Sequence, residues 1–282
     1  MFRTFADMFK NKDIRNRIFF TLAMLFVFRF GSAITVPGVD VTELTKGIQD
    51  NSLFAMINML GGGGLEQLSI FAMGVGPYIT ASIIIQLLSM DVIPALTELA
   101  KGGATGKKQI DRYTRYLAVV LSFFQATTLV YSFSTQYTTL LVNGSGWASI
   151  LYVATLLTAG SMFILWIGDR ISMKGIGNGV SMIIAAGIIA RLPYQFTTAW
   201  QTLVDPSNSS ATFNGILTYG LYIVSYLLII VFVVFMQTAE RKIPIQYTSS
   251  TVTTRKKDMT YLPLKINSAS VIPVIFASAI LA

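Results

Sequence analysis

The chain has 282 residues, of which 53% are hydrophobic and only 12% charged, with a formal net charge of +8. A soluble globular domain carries roughly 25% charged residues, so a chain this apolar needs lipid as its solvent. Its lack of cysteine and histidine removes thiol nucleophiles, disulfides, imidazole bases and His or Cys metal ligands. Its acids lie almost wholly in short polar connections, away from the paired arrangement that carboxylate catalysis needs.

From the amino terminus, residues 1–17 alternate Phe, Met and Ile with Arg3, Lys10, Lys12, Arg15 and Arg17. They read either as an amphipathic helix on the headgroups or as a solvated positive tail that fixes orientation. No small-residue cleavage site follows the first apolar stretch, so a removable signal is not indicated.

A helix crosses the hydrocarbon core with about 20 apolar residues. The first such stretch is Ile18–Val36. Leu53–Leu60 is apolar but short, Gly61 to Gly64 interrupt it, Leu65–Ala72 resume, and a stronger stretch follows from Met73 to Ile93. This pattern predicts a short re-entrant half-helix and then a full span. Further spans are predicted at Tyr116–Phe133, Ala148–Ile167, Val180–Leu192 and Ile216–Met236, and a seventh starts near Ile266 and is still running at Ala282.

Basic residues order these spans. One side receives the amino-terminal cluster, then Lys101, Lys107, Lys108, Arg112 and Arg115, then Arg170 and Lys174, then Arg241, Lys242, Arg255, Lys256, Lys257 and Lys265. The opposite loops hold only Lys46. Such one-sidedness places the amino terminus in the cytoplasm. Arg29, near the outer end of the first span, can snorkel.

The glycine run permits turns that side chains forbid. Non-helical backbone at membrane depth is tolerated only where protein buries it or water reaches it, so the segment is either inside a cavity or an external loop at the headgroups. In Pro77–Gln86, Ile79 and Ile83 share one helix face, and a lipid-facing stripe accounts for them as well as any function does. The run Lys174-Gly-Ile-Gly-Asn-Gly179 lacks the preceding strand and following Lys-Ser/Thr of a phosphate loop and predicts a tight turn. Residues 237–264 form a loop long for a bundle. Thr and Ser at 248–254, with Tyr247, suggest strands of a hairpin between two basic clusters. Asn267, Ser268 and Ser270 are polar positions that face protein or water.

Taken together, Phe28-Arg-Phe-Gly31 with Val36-Pro-Gly38, Pro77-Tyr-Ile-Thr-Ala-Ser-Ile-Ile-Ile-Gln-Leu-Leu88, Tyr113-Thr-Arg-Tyr116, Gly175-Ile-Gly-Asn-Gly179, and Leu262-Pro-Leu-Lys-Ile-Asn267 with Val271-Ile-Pro273 resemble the SecY family, the central channel subunits of the bacterial Sec translocon. The resemblance covers essentially the whole chain in order. It implies an all-α polytopic membrane bundle of the SecY type: the first pseudosymmetric half plus the start of the second, with a short re-entrant plug helix. The implied organisation is a cytoplasmic segment 1–17, an amino-terminal half 18–193 holding spans one to five, an external loop 194–213, and a partial carboxy-terminal half 214–282 with the basic loop 237–264. Family members have ten spans, so the last three helices and one ring residue lie beyond this sequence.

The resemblance further implies a pore ring of Ile79, Ile83, Ile184 and Ile275, with Val180 bordering it. It implies a plug over Gly61, Gly62, Gly63, Gly64, Leu65, Leu68, Ile70 and Phe71, and a lateral gate lined by Gln86, Gln125 and Asn267. Arg241, Lys242, Arg255, Lys256 and Lys257 are implied to dock the ribosome, through rRNA phosphates, or the SecA motor. SecE-like and SecG-like small membrane subunits, a translocating polypeptide and anionic lipids are the implied partners, with no cofactor, no metal and no catalytic residue. The implied place is the bacterial plasma membrane. A secondary transporter with broken helices, a membrane-embedded enzyme and a pore-less insertase or scaffold are the rival readings. The first two require intramembrane acids, bases or metal ligands that no span centre supplies.

Overall fold

A computed structural model describes residues 11–40, 64–65, 67–137, 140–142, 146–204, 209–245 and 260–266. Among them seven helices and one hairpin occur: α1 Lys12–Ser32, α2 Gly76–Leu88, α3 Pro94–Lys101, α4 Gly103–Gln136, α5 Trp147–Lys174, α6 Gly179–Leu203, α7 Ser209–Thr238, then β1 Glu240–Ile245 and β2 Thr260–Lys265. Four of these helices, α4 to α7, are long and apolar enough to cross a bilayer. The protein is therefore a multi-pass membrane protein. The expected seventh span lies outside the described residues.

The chain divides into two compact units, Met1–Pro193 and Tyr194–Ala282. In the first, α4 is the central rod: α2 and α5 both pack along it, and α1 packs on α5. The face of α4 turned inward is built from Gly106, Thr114, Ala118, Ser122, Ala126 and Val130, all buried. Their spacing by fours and eights puts small side chains on one stripe, which lets neighbouring helices approach closely. One buried cluster joins Val36, Leu65, Leu68, Val130, Phe133, Leu140, Val153 and Leu157; a second joins Phe28, Phe71, Val75, Ile164, Ile167, Ile171 and Ile183. In the second unit, the carboxy-terminal turns of α6 meet α7 through Trp200 on Tyr219 (5.0 Å, edge to face) and Phe196 on Tyr226 (5.6 Å).

Two expectations are corrected. The second span, predicted over 73–93, is a helix of only 13 residues, about 20 Å long. It ends in a turn at Asp91, whose φ of 59° is left-handed. The half-helix predicted over Leu65–Ala72 is a succession of turns, not a helix. The reason is where its backbone bonds go. Val36 N–H donates to the Leu68 carbonyl (3.0 Å) and Ile70 N–H to the Ile34 carbonyl (3.0 Å), flanking a bridge between Thr35 and Ser69. These long-range bonds, with φ of 39° at Leu68, replace the i to i−4 ladder. The stretch before Gly64 lies outside the described residues.

The glycine run at the start of α6 is a helix-to-helix turn, as its sequence predicts. Gly177 has φ of 69°, Ile176 N–H donates to Thr21 Oγ1 (3.1 Å), and Asn178 Oδ1 accepts from Val180 N–H (3.0 Å), capping the helix. A side chain at Gly179 would meet the Gly168 carbonyl of α5. Each polar position of this run is accounted for by the turn.

At the same end of the bundle, Arg115 of α4 pairs with Asp169 of α5 at 3.0 Å, with both side chains partly exposed. Exposed pairs contribute about 0.2–1 kcal/mol. Asp169→Asn is therefore expected to lower the melting midpoint in detergent by about 2 °C or less; a much larger drop would show that the pair is a structural lock.

The expected hairpin is present, but its strands lie at 240–245 and 260–265, with Glu240 opposite Lys265 and Ile245 opposite Thr260. Residues 248–254, where strands were expected, are outside the described residues. Ile266 N–H donates to the Ala239 carbonyl (3.3 Å), which sets the alternation of the ladder. Pro244 and Pro263 consequently fall in non-hydrogen-bonded pairs. Their missing N–H groups are on the open edges, where proline is tolerated and blocks further strand pairing.

Candidate functional site

Helix α5 carries a tryptophan towards each end. Trp147 at its start stacks on Tyr131 of α4 (5.7 Å), and both are largely exposed. Trp166 near its other end is also exposed and carries Arg170 over its ring at 5.2 Å. The two tryptophans are about 28 Å apart along the axis.

The turn segment packs on α5 between these two tryptophans. Ser161 Oγ donates to the Gly74 carbonyl (3.1 Å), and Gly160 touches the Ile70 backbone so closely that no Cβ would fit. Residues 70–74 therefore sit about 20 Å from the Trp147 end and about 10 Å from the Trp166 end. Helix α2 begins here and runs to the end of the bundle where α4 begins. It is shorter than a full span, and the described chain just before it is not helical. That chain is buried: Leu65, Leu68 and Ser69 are 0% exposed. Protein burial is a condition under which irregular backbone survives inside a membrane.

Ile79 of α2 and Ile184 of α6 come from separate helices and pack on the same cluster, that of Phe28, Phe71, Val75 and Ile183. Val180, one turn before Ile184, packs there too. Each is half-buried, so each leaves part of its surface outside the packed core. Ile83 is also half-buried on α2. Ile275 lies outside the described residues. The packed side chains of this cluster are largely aliphatic and aromatic. Phe71 is sandwiched between Phe28 (6.2 Å) and Phe163 (5.9 Å).

Of the plug positions, Leu65, Leu68 and Phe71 are buried and Ile70 is half-buried against both clusters. Gly64 is described, while Gly61, Gly62 and Gly63 are not. Gln86 is exposed on α2 and Gln125 half-buried on α4, with no side-chain hydrogen bond between them. Asn267 lies outside the described residues. Arg241 and Lys242 are exposed on β1; Arg255, Lys256 and Lys257 lie outside the described residues. The ladder puts Arg241 opposite Leu264 and Lys242 opposite Pro263, so by strand alternation the two cations project from opposite faces of the hairpin.

Sequence reasoning missed Gly31, Gly160 and Ser161, which seat the turn segment. The run of small residues Thr158-Ala159-Gly160-Ser161 within the span was the available signal.

Comparison with known proteins bears on this arrangement. The family model described as SecY matches residues 69–282. The chain is 44% identical over 283 residues to the protein translocase subunit SecY of Bacillus subtilis, covering 100% of this chain and 65% of that protein. It is 43% identical to the subunit of the same name from Staphylococcus carnosus, covering 99% and 65%. The chain thus spans 65% of the length of these curated relatives. Among solved structures, one described as a protein-conducting channel superposes with a TM-score of 0.62 at 18% identity, covering 94% of this chain and 56% of the other. Sec61 in a canine ribosome-channel complex from the endoplasmic reticulum gives 0.61 at 18% identity, with the same coverage. At that identity the structural likeness speaks for the fold.

Proposed function

Because the chain belongs to the SecY family, we propose that it contributes the constricted half of a protein-conducting channel, through which unfolded polypeptides cross, and membrane proteins enter, the bacterial plasma membrane. The observation that carries this reading is the placement of Ile79 and Ile184, from two helices, on one apolar cluster beside the irregular chain at 70–74. With Ile83 and Ile275 they would form a narrow aliphatic ring. Such a ring expels water and ions yet yields to a passing chain. Branched aliphatic groups suit this task because they offer no hydrogen bond that would hold either water or the polypeptide.

The chain is a conduit and not an enzyme in this reading. Energy is supplied by the ribosome during synthesis or by a SecA-type motor, and SecE-like and SecG-like subunits complete the assembly. The glycine-hinged segment 61–71 belongs to the plug, and Gln86, Gln125 and Asn267 belong to the lateral gate. The amino terminus is cytoplasmic: the ends of the spans that carry Arg112, Arg115, Arg170 and Lys174 face that side, where anionic lipids attract them.

A stalled secretory chain tests the reading. In the full-length protein with its partner subunits, a photocrosslinker at position 79 or 184 is expected to capture the stalled polypeptide. One at the exposed Phe124 on α4 is expected to capture none. Crosslinks absent from both ring positions would favour a scaffold or insertase.

The hairpin is the docking element in this proposal. Lys and Arg suit rRNA phosphates, and removing one cation that neutralises a phosphate reduces the salt dependence of binding by about one unit of slope. The variant Arg241→Glu with Lys242→Glu is expected to weaken ribosome binding at 50 mM salt about tenfold or more and to flatten its salt dependence. Binding measured across a salt series checks this, and an unchanged slope would place the docking surface elsewhere.

A further inference from the structure

We infer that Gly31, Gly160 and Ser161 are positioning residues that hold residues 67–75 as a fixed collar, which stays in place when the channel opens. This rests on the channel reading, and it narrows the plug assignment by taking Leu68, Ile70 and Phe71 out of it.

Three independent features fix the collar. The first is its backbone. Val36 N–H to the Leu68 carbonyl and Ile70 N–H to the Ile34 carbonyl, each 3.0 Å, tie it to the chain after α1. Ser161 ties Gly74 to α5. Val36, Leu68 and Gly74 are buried, and a buried polar group left without its bond is expensive.

The second feature is an approach so close that only glycine fits. A Cβ at Gly160 would fall on the Ile70 carbonyl, and one at Gly31 would fall on the Phe71 ring. The third is local conformation. Leu68 holds φ of 39° and Gly74 φ of 56°. A non-glycine residue stays in that region only where its surroundings over-determine it. A segment built in this way does not slide out and return at each passage.

The tie to the chain after α1 also provides the test. Thr35 and Ser69 form a bridge flanked by the two bonds above, which makes them a non-hydrogen-bonded pair. The Cα atoms of such pairs are about 4.5 Å apart, within the range a disulfide spans. The chain has no native cysteine.

Full-length protein carrying Thr35→Cys and Ser69→Cys, assembled with its partner subunits in proteoliposomes, is compared oxidised and reduced. Oxidised protein is expected to transport a secretory precursor within twofold of the reduced form. Transport abolished on oxidation and restored by reductant overturns the inference while leaving the channel reading intact. Absence of transport in reduced and parent proteins alike overturns the channel reading, and the collar with it.

A second measurement isolates positioning from folding. Ser161→Ala is expected to raise the resting ion leak about threefold or more, the factor that goes with removal of one buried hydrogen bond, at parental levels of membrane protein. Ser161→Thr, which keeps the hydroxyl, is expected to restore the seal. An unchanged leak in the alanine variant overturns the positioning role.

Discussion

A full-length channel in which Ile79 and Ile184 are both replaced by asparagine is expected to conduct ions at rest, with a leak about tenfold or more above that of the parent. Both side chains are half-buried and both pack on the cluster of Phe28, Phe71, Val75 and Ile183. Their remaining surface faces out of that cluster. An aliphatic lining leaves water in a narrow passage without partners, and the passage stays dry. In the proposed channel, two amides on separate helices would supply donors and acceptors beside the passage, so a water column would gain the bonds it lacks. Isoleucine to leucine or valine at both sites keeps the apolar character and is expected to keep the seal. Planar-bilayer conductance of the reconstituted assembly decides the matter: leak equal to the parent's in the double asparagine variant would mean that these isoleucines do not line the passage.

Gly160→Val is expected to be the most damaging single substitution in the amino-terminal unit. The added Cβ has no flexible neighbour to displace. It meets the carbonyl of Ile70, backbone that is itself bonded to Ile34. Overpacking of this sort costs about 1–3 kcal/mol. Pushing the collar away would strand the Ile70 N–H and the Gly74 carbonyl, at about 1–3 kcal/mol for each group left unsatisfied. Against a total stability of about 5–15 kcal/mol, the sum removes much of the margin. The expected result is a fall of about 10 °C in the melting midpoint in detergent and a marked loss of accumulated protein. Gly220→Val, on α7 where nothing lies within 4 Å of the added atom, is the matched control and is expected to change little. Equal behaviour of the two variants would show that the approach of α5 to the collar is loose.

How far the sequence could be read depended on the kind of signal. Helices α4 to α7 were legible because twenty apolar residues in a row have one stable form in lipid. The turn at 175–179 was legible because glycine and asparagine carry their own conformational preference. The hairpin was half legible: its strands lie at 240–245 and 260–265, with prolines in both. Proline argues against a strand until one knows that both edges are open. The segment at 65–72 was misread as a helix because its apolar residues fit either state.

Hydropathy and turn chemistry are local quantities, and they were enough to place helices α4 to α7 and the turn at 175–179, while the family was legible in the motif strings. Which carbonyl an N–H finds across the fold is not local. Leu68 and Ile70 turn away from helix because Val36 and Ile34 offer their backbone, and because Gly31 and Gly160 leave room for nothing larger than a hydrogen. The short α2, the buried irregular chain before it and the packing of Ile79 and Ile184 on one cluster follow from that exchange of partners between distant parts of the chain, which no window of sequence contains.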